Sequence, residues 1–264
     1  MLKSLGAKSL DDFIARVVPE NIRTKRPLEL KKAMPERTAL SYLRAMAERN
    51  DVFVSMIGMG YYGTVTPKVI LRNVLENPGW YTAYTPYQPE ISQGRLEAII
   101  NFQTMVTELT GMKTANASML DESTAVVEAM MIAKRSAESE SNVFFVDNDM
   151  FPQTKALLEH RAEPLGIVIS YFDPADLSQL DQECFGAVVQ YPGASGRIID
   201  FDGLFAKVHE FGGLALASAD LMALTLLTPP GEKGADVVCG TTQRFGVPMG
   251  FGGPHAGYLA VREK

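Results

Sequence analysis

From residue 142 onward, the chain alternates apolar, strand-like runs with helical segments, and this alternation limits the folds that it can adopt. The runs are apolar throughout, which is typical of strands buried on both faces of a parallel sheet. Parallel strands need crossover connections, and helices are predicted over residues 152–160 and 201–211. The sequence therefore predicts a three-layer α/β/α domain with a mainly parallel sheet. The apolar runs span residues 142–147, 166–172, 186–191, 213–219, 234–240 and 258–261.

The first fifty residues are helical and charged, and they differ from the remainder of the chain. Ser9 is predicted to cap a helix that extends to Val18, and a second helix is predicted over residues 35–50. We therefore predict an N-terminal helical arm over residues 1–50 and a large domain over residues 51–264.

Three further helices are predicted near the start of the large domain. Thr66 and Pro67 form a favourable N-cap and N1 pair for a helix over residues 66–76. A longer helix is predicted over residues 92–110, where a glycine follows, and another over residues 125–135.

The composition narrows the class of protein. Hydrophobic residues make up 46% and charged residues 21%, as in ordinary soluble proteins, and the net charge of −6 disfavours a nucleic-acid surface. No apolar stretch approaches the length of a membrane-spanning helix, and no signal-peptide pattern is present, so a reducing, aqueous compartment is expected. Cys184 and Cys239 lie within apolar runs and are interpreted as buried thiols, and no metal site is predicted.

Polar residues follow two of the predicted strands and precede one of the predicted helices. Asp220 ends the run 213–219, and a Thr-Thr-Gln-Arg turn follows the run 234–240. Residues 118–125, which are rich in small and hydroxylated side chains, lead into a helix, and a helix start of this kind can bind a phosphate. Taken alone, this last segment is better explained by a simple N-cap at Asp121 or Ser123.

Along the chain, residues 118–125 come first, then Asp220 and then the Thr-Thr-Gln-Arg turn. In that order, the three segments resemble the large domain of the aminotransferase-like, pyridoxal-phosphate (PLP) dependent transferase fold, fold type I. In that fold, an aspartate at a strand end holds the pyridine nitrogen, and a Ser/Thr-x-His-Lys turn after the next strand carries the Schiff-base lysine. Gln243 and Arg244 stand in the His-Lys positions here. Arginine stays protonated and cannot act as an amine nucleophile.

The resemblance therefore implies that this chain has no catalytic residue of its own. The neighbouring carboxyl groups of Asp121 and Glu122 would also repel a phosphate. Arg244 is expected either to contact a phosphate from the partner half, or to cap the turn or form a salt bridge inside the interface, and the second interpretation is favoured. The vestigial cofactor-binding residues would be Asp220, Thr242 and Ser123.

Longer motifs indicate one family. They resemble the N-terminal half of the glycine cleavage system P-proteins (glycine dehydrogenase, decarboxylating), and the resemblance covers essentially the whole chain. It implies that residue 264 falls before the rest of the large domain and the small domain, so a fragment is expected. The chain differs from many relatives in having Phe151 in place of histidine and Ser123 in place of glycine. The motifs are residues 57–63, 77–81, 84–97, 115–122, 152–154, 219–224, 229–232 and 243–255.

The resemblance also implies an activity and partners. P-proteins use PLP to decarboxylate glycine and pass the aminomethyl group to the lipoyl arm of H-protein. The lysine-bearing C-terminal half, fused or as a second subunit, would hold PLP, and this half would complete the active site and be inactive alone. The expected location is the bacterial cytoplasm, or the mitochondrial matrix in a eukaryote, with neither nucleic acid nor membrane as a partner. A non-catalytic regulatory or scaffold subunit with the PLP fold is the alternative.

Two loops rich in glycine and tyrosine, residues 58–64 and 84–90, are the predicted contacts with the active site of the other half. Tyrosine offers a large, rigid surface with a hydroxyl group at its tip, which suits the wall of a channel. The alternative is that these loops only build the interface between the halves. The residues predicted to line the site across the interface are Tyr61, Tyr62, Tyr84, Tyr87 and Gln88.

Overall fold

A computed structural model describes residues 1–250 and 255–263 and divides the chain into two units, Met1–Val54 and the residues from Ser55 onward. The first unit contains helix α1 (Leu10–Val17) and helix α2 (Glu36–Ala47), with short 3-10 turns at Leu2–Leu5 and Glu20–Ile22. As predicted, the Ser9 hydroxyl caps α1, accepting a hydrogen bond from the Asp12 amide at 3.1 Å.

The second unit contains the predicted alternation of helices and strands. Its helices are α3 (Lys68–Ile70), α4 (Pro78–Tyr81), α5 (Gln93–Thr110), α6 (Glu122–Ser136), α7 (Pro152–Ala162) and α8 (Asp202–Glu210). Its strands are β1 (Thr114–Ala115), β2 (Val143–Asp147), β3 (Val168–Phe172), β4 (Gly186–Tyr191), β5 (Leu214–Ala219), β6 (Val237–Thr241) and β7 (Gly257–Val261). A π-helical turn spans Leu71–Leu75, and 3-10 turns span Pro89–Ile91, Glu163–Leu165, Leu177–Gln179, Ala223–Thr225 and Gln243–Phe245.

The strands form one sheet in the order β1-β7-β6-β5-β4-β2-β3. Strands β6, β5, β4, β2 and β3 are parallel, as predicted, with Val188 opposite Leu216 and Ala217 opposite Val238. The edge formed by β7 and β1 is antiparallel. The sheet is therefore mixed but mainly parallel.

Helices cover both faces of the sheet and give the three layers. On one face, α6 and α7 pack against a buried cluster that includes Met130, Leu158 and Val188. On the other face, α5 and α8 pack against a second cluster that includes Val106, Phe205 and Ala217. Because both faces are covered, the strands are apolar throughout, and all six residues of β4 are buried.

The predicted helix over residues 66–76 is wrong at its start. The Thr66 hydroxyl donates a hydrogen bond to the Gly246 carbonyl at 2.5 Å, so it is unavailable to cap a helix. Pro67 occupies the N-cap position of α3, without a side-chain cap, and the chain then continues into the π-helical turn. Thr66 instead holds this segment against the turn that follows β6.

The structure can be compared with two further predictions, the buried thiols and the lack of a membrane-spanning helix. Cys184 and Cys239 are buried and form no disulfide. Among the helices of residues 1–250 and 255–263, none is both long enough and apolar enough to cross a membrane.

Candidate active site

The carboxyl ends of β2, β4, β5 and β6 lie at one edge of the sheet, the edge at which ligands bind in open α/β folds. Each of these strands has a polar residue at or next to its carboxyl end. Asp147 ends β2, Gln190 is the penultimate residue of β4, Asp220 follows β5 and Thr242 follows β6. The polar segments singled out in the sequence therefore meet at this edge.

Asp220 and Arg244, which are twenty-four residues apart in the chain, form a two-point ion pair. The Arg244 Nε atom lies 3.2 Å from each carboxylate oxygen, and Nη2 lies 2.9 Å from Oδ2. The Met222 amide donates a further hydrogen bond to Oδ1 at 3.0 Å. Both side chains are less than one-fifth exposed, at 16% for Asp220 and 18% for Arg244. The strand-end carboxylate is thus already occupied by a cation from the same chain.

Tyr62 covers this ion pair. The guanidinium carbon of Arg244 lies 3.7 Å from the centre of the Tyr62 ring, a distance typical of a cation–π contact. Burial, and then the Asp220 carboxylate, raise the pKa of the Tyr62 phenol, while Arg244 acts in the opposite direction. The phenol is therefore neutral, and it joins the glycine- and tyrosine-rich loop to the turn after β6.

The other two residues predicted as vestigial cofactor ligands are also engaged within the chain. The Thr242 hydroxyl and amide both donate to the Ala256 carbonyl, at 2.9 and 2.8 Å. The Ser123 hydroxyl lies 2.9 Å from the Thr154 hydroxyl, which joins α6 to α7. Thr242 and Ser123, like Asp220, therefore bond to other residues of this chain.

The start of α6 carries two carboxyl groups. Asp121 is the N-cap, and its side chain accepts hydrogen bonds from the Thr124 amide at 2.7 Å and the Thr124 hydroxyl at 2.6 Å. Glu122 accepts from Gln190 Nε2 at 3.1 Å and from the Ser218 hydroxyl at 2.9 Å. Burial raises the pKa of the Glu122 carboxyl, and the two hydrogen bonds act in the opposite direction. This helix start is therefore acidic where a phosphate site would need to be neutral or basic.

A cavity of about 300 Å³ opens beside this helix start. The loop at residues 59–61 forms one wall, and the Tyr61 ring lies tilted against the ring of His255, with 5.3 Å between the ring centres. Gly60 has a φ of 83°, and a side chain there would strike the buried Phe151 ring. The lining residues are Met59, Gly60, Tyr61, Asp121, Glu122, Ser123, Gln153, Leu157, Thr241, Gln243 and His255.

The residues predicted to line a neighbouring active site fall into two groups. Tyr61 borders the cavity, and Tyr62 covers the ion pair. Tyr84, Tyr87 and Gln88 line a separate groove, where the two tyrosine rings are 6.0 Å apart and more than 70% exposed. The loops therefore present one surface fixed to the sheet edge and another exposed to solvent.

Gln190 and Asp147 are parts of the site that the sequence motifs do not predict. Asp147 is buried, and its carboxylate accepts from the Asp149 amide at 2.7 Å and the Gln190 amide at 3.2 Å. Gln190 links Glu122 to the Ser218 carbonyl. Polar residues at the ends of otherwise apolar strand runs are the signal that could have identified both.

Comparisons with known proteins identify the family. A profile of the glycine cleavage system P-protein family matches residues 1–264. The chain is 57% identical to a glycine dehydrogenase (decarboxylating) of Agrobacterium fabrum and 59% identical to that of Sinorhizobium medicae. It is aligned over its whole length in both, but it spans only 28% of each relative.

Solved structures give the same result. A crystal structure of glycine decarboxylase (P-protein) of the glycine cleavage system, in inhibitor-bound form, superposes with a TM-score of 0.84 at 35% identity. The match covers all of this chain and 60% of that one. A crystal structure of metB from Corynebacterium glutamicum, at 16% identity and a TM-score of 0.50 over 62% of this chain and 42% of that one, shares the fold alone. The fold is that of the PLP-dependent enzymes of fold type I. The chain therefore belongs to the glycine cleavage system P-protein family.

Proposed function

We propose that this chain is part of the N-terminal half of a glycine dehydrogenase (decarboxylating), the half that lacks the Schiff-base lysine, and that it completes an active site whose PLP is held by the complementary half. The observation that carries the proposal is the Asp220–Arg244 ion pair. PLP would supply the electron sink for loss of carbon dioxide from glycine. The part of this chain is to shape and position that site.

The residues present do not fit PLP. A carboxylate that held the pyridine nitrogen would have to be free, yet Asp220 is saturated by Arg244 and the Met222 amide. The acidic groups of Asp121 and Glu122 at the start of α6 disfavour a phosphate. Of the described residues that line the cavity, none is a lysine or an arginine. These observations support placing PLP on the complementary half.

The exposed groove at Tyr84, Tyr87 and Gln88 supports a role at an interface. Its aromatic side chains offer a large apolar surface with hydroxyl groups at the rim. In the proposed enzyme, this groove faces the complementary half and the path of the H-protein lipoyl arm. Orienting glycine and the arm relative to each other accelerates the reaction without a reacting group from this chain.

Reconstitution tests the proposal. The chain is produced alone, the lysine-bearing half alone, and the two together, and glycine–bicarbonate exchange is measured with lipoylated H-protein. We expect exchange only from the combination. Full activity from the lysine-bearing half alone would overturn the proposal and favour a scaffold or regulatory subunit.

We further predict that at least one of Tyr61, Tyr62, Tyr84 and Tyr87 needs its hydroxyl group. A Tyr→Phe change keeps nearly all of the packing volume, so a tenfold fall in exchange, equivalent to about 1.4 kcal/mol, would report a site role. Tyr171→Phe is the matched control, because Tyr171 lies on the edge strand β3 and bonds to Glu159. Unchanged exchange and H-protein kinetics in all four variants would leave these tyrosines with an interface role only.

A further inference from the structure

The turn that follows β6 holds residues 58–66, which we call the tyrosine segment. The Thr64 hydroxyl donates a hydrogen bond to the Val247 carbonyl at 2.8 Å, and the Thr66 hydroxyl donates to the Gly246 carbonyl at 2.5 Å. Both acceptors directly follow the 3-10 turn after β6. The position of the tyrosine segment therefore depends on the position of that turn.

Arg244 is the side chain that fixes this turn to the end of β5. Its Nε and Nη2 atoms lie 3.2 and 2.9 Å from Oδ2 of Asp220. Because the guanidinium group is planar, a two-point contact sets its orientation as well as its position. The Met222 amide holds the carboxylate from the other side. The guanidinium plane is therefore fixed relative to the sheet.

The same guanidinium group also contacts the tyrosine segment. Asp220 bonds to its nitrogen atoms, and the Tyr62 ring covers it, with 3.7 Å between the guanidinium carbon and the centre of the ring. An arginine over an aromatic face is attracted by the negative potential of the ring, and the attraction increases as the pair is removed from water. Arg244 thus connects the end of β5, the turn after β6 and the tyrosine segment.

We propose that Arg244 is a positioning residue of the assembled enzyme and that it acts through Tyr62. By holding the Tyr62 ring, it keeps the tyrosine segment in a single conformation toward the complementary half. The residue that stands in the Schiff-base position of this half then serves the active site of the other half. This inference rests on the proposed function, since the segment affects catalysis only if the two halves share an active site.

The kinetics of the reconstituted enzyme test this role. A segment that samples several conformations binds its partner less tightly, because the apparent affinity falls with the fraction of competent molecules. We therefore expect Arg244→Met to raise the KM for lipoylated H-protein about tenfold, at concentrations where the halves are fully assembled. A loss of folded enzyme alone would lower kcat and leave this KM unchanged. An unchanged KM would overturn the proposal.

Tyr62→Leu tests whether Arg244 acts through the aromatic ring. This change removes the ring and leaves the ion pair of Arg244 with Asp220 in place, so it should raise the same KM. Because both changes release one contact, the combined variant should be no worse than the more severe single variant. Additive effects of Arg244→Met and Tyr62→Leu on the KM would contradict action through Tyr62.

Fluorine NMR of the 264-residue chain labelled with 3-fluorotyrosine tests the contact without the complementary half. Tyr62→Phe assigns the Tyr62 resonance, which we expect to lie apart from those of the exposed tyrosines and to move toward them in Arg244→Met. Arg197→Met is the matched control, because Arg197 also pairs with an aspartate, Asp173, but lies in the loop after β4. The control should leave the Tyr62 resonance in place. A resonance that does not move in Arg244→Met would overturn the proposal.

The two proposals fail in different ways. If the proposed function is wrong, the lysine-bearing half is fully active alone, while the Tyr62 resonance still reports the contact with Arg244. If only this inference is wrong, the two wild-type halves are active together, and Arg244→Met keeps the wild-type resonance and KM. If Arg244→Met does not fold, the double change of Asp220→Ala with Arg244→Met replaces it, since no carboxylate is then left without its cation.

Discussion

Replacing Asp220 by alanine is expected to lower the free energy of unfolding by about 3 kcal/mol. The change leaves the guanidinium of Arg244 only 18% exposed, beneath the Tyr62 ring, without its carboxylate partner. It also removes the acceptor of the Met222 amide. An unpaired, largely buried charge costs more than the net contribution of the pair itself, so the loss should be large.

Urea denaturation of purified variants measures this effect. Asp173→Ala is the matched control, because Asp173 forms a comparable ion pair with Arg197, but both side chains are about two-fifths exposed. Its loss should be below about 1 kcal/mol. The double change of Asp220→Ala with Arg244→Met should recover part of the stability, since no charge is then stranded. Equal losses for Asp220→Ala and Asp173→Ala would contradict the burial of the first pair.

Replacing Gly240 by alanine is expected to destabilise the chain by about 3 kcal/mol. A Cβ atom at this position in β6 would overlap the Ala219 carbonyl oxygen and lie 2.8 Å from the Tyr258 ring. The obstacle is backbone, so a side-chain rotation cannot relieve it. The Ala219 carbonyl accepts the hydrogen bond of the buried Tyr258 hydroxyl and directly precedes Asp220, so the overlap should also disturb the ion pair.

Gly94→Ala is the matched control for this prediction. Gly94 lies in the first turn of α5 with open space where a Cβ would stand, and alanine favours a helix. Its midpoint of unfolding should therefore be unchanged or slightly higher. Equal midpoints of unfolding for Gly240→Ala and Gly94→Ala would contradict the close approach of β6 to β5 and β7.

The strands of the parallel sheet could be predicted because burial on both faces leaves a clear pattern. Residues 186–191 form a run that is apolar except for Gln190, and β4 has those bounds. The direction of β7 could not be predicted, because the apolar run at residues 258–261 reads the same for either direction. Its antiparallel pairing, with Thr241 opposite Gly257, depends on contacts between residues distant in the sequence.

The candidate site could be predicted in its residues but not in its contacts. The sequence predicts Asp220 as a vestigial cofactor ligand, and Arg244 as a contact of a partner's phosphate, a cap of the turn or a salt bridge inside the interface. In the structure they pair with each other, because the parallel strands bring their following turns to one edge. Glu122 was interpreted only as a poor neighbour for a phosphate, since its bonds to Gln190 and Ser218 arise from crossovers that the sequence does not specify.

The measurement that most directly tests the placement of PLP is covalent mapping. The chain, alone and assembled with the lysine-bearing half, is incubated with PLP, reduced with borohydride and digested, and the modified lysines are identified by mass spectrometry. We predict stoichiometric modification at one lysine of the complementary half and at no defined lysine of this chain. A borohydride-stable adduct at one defined lysine among residues 1–264 would contradict the proposal that no lysine of this chain forms the Schiff base with PLP.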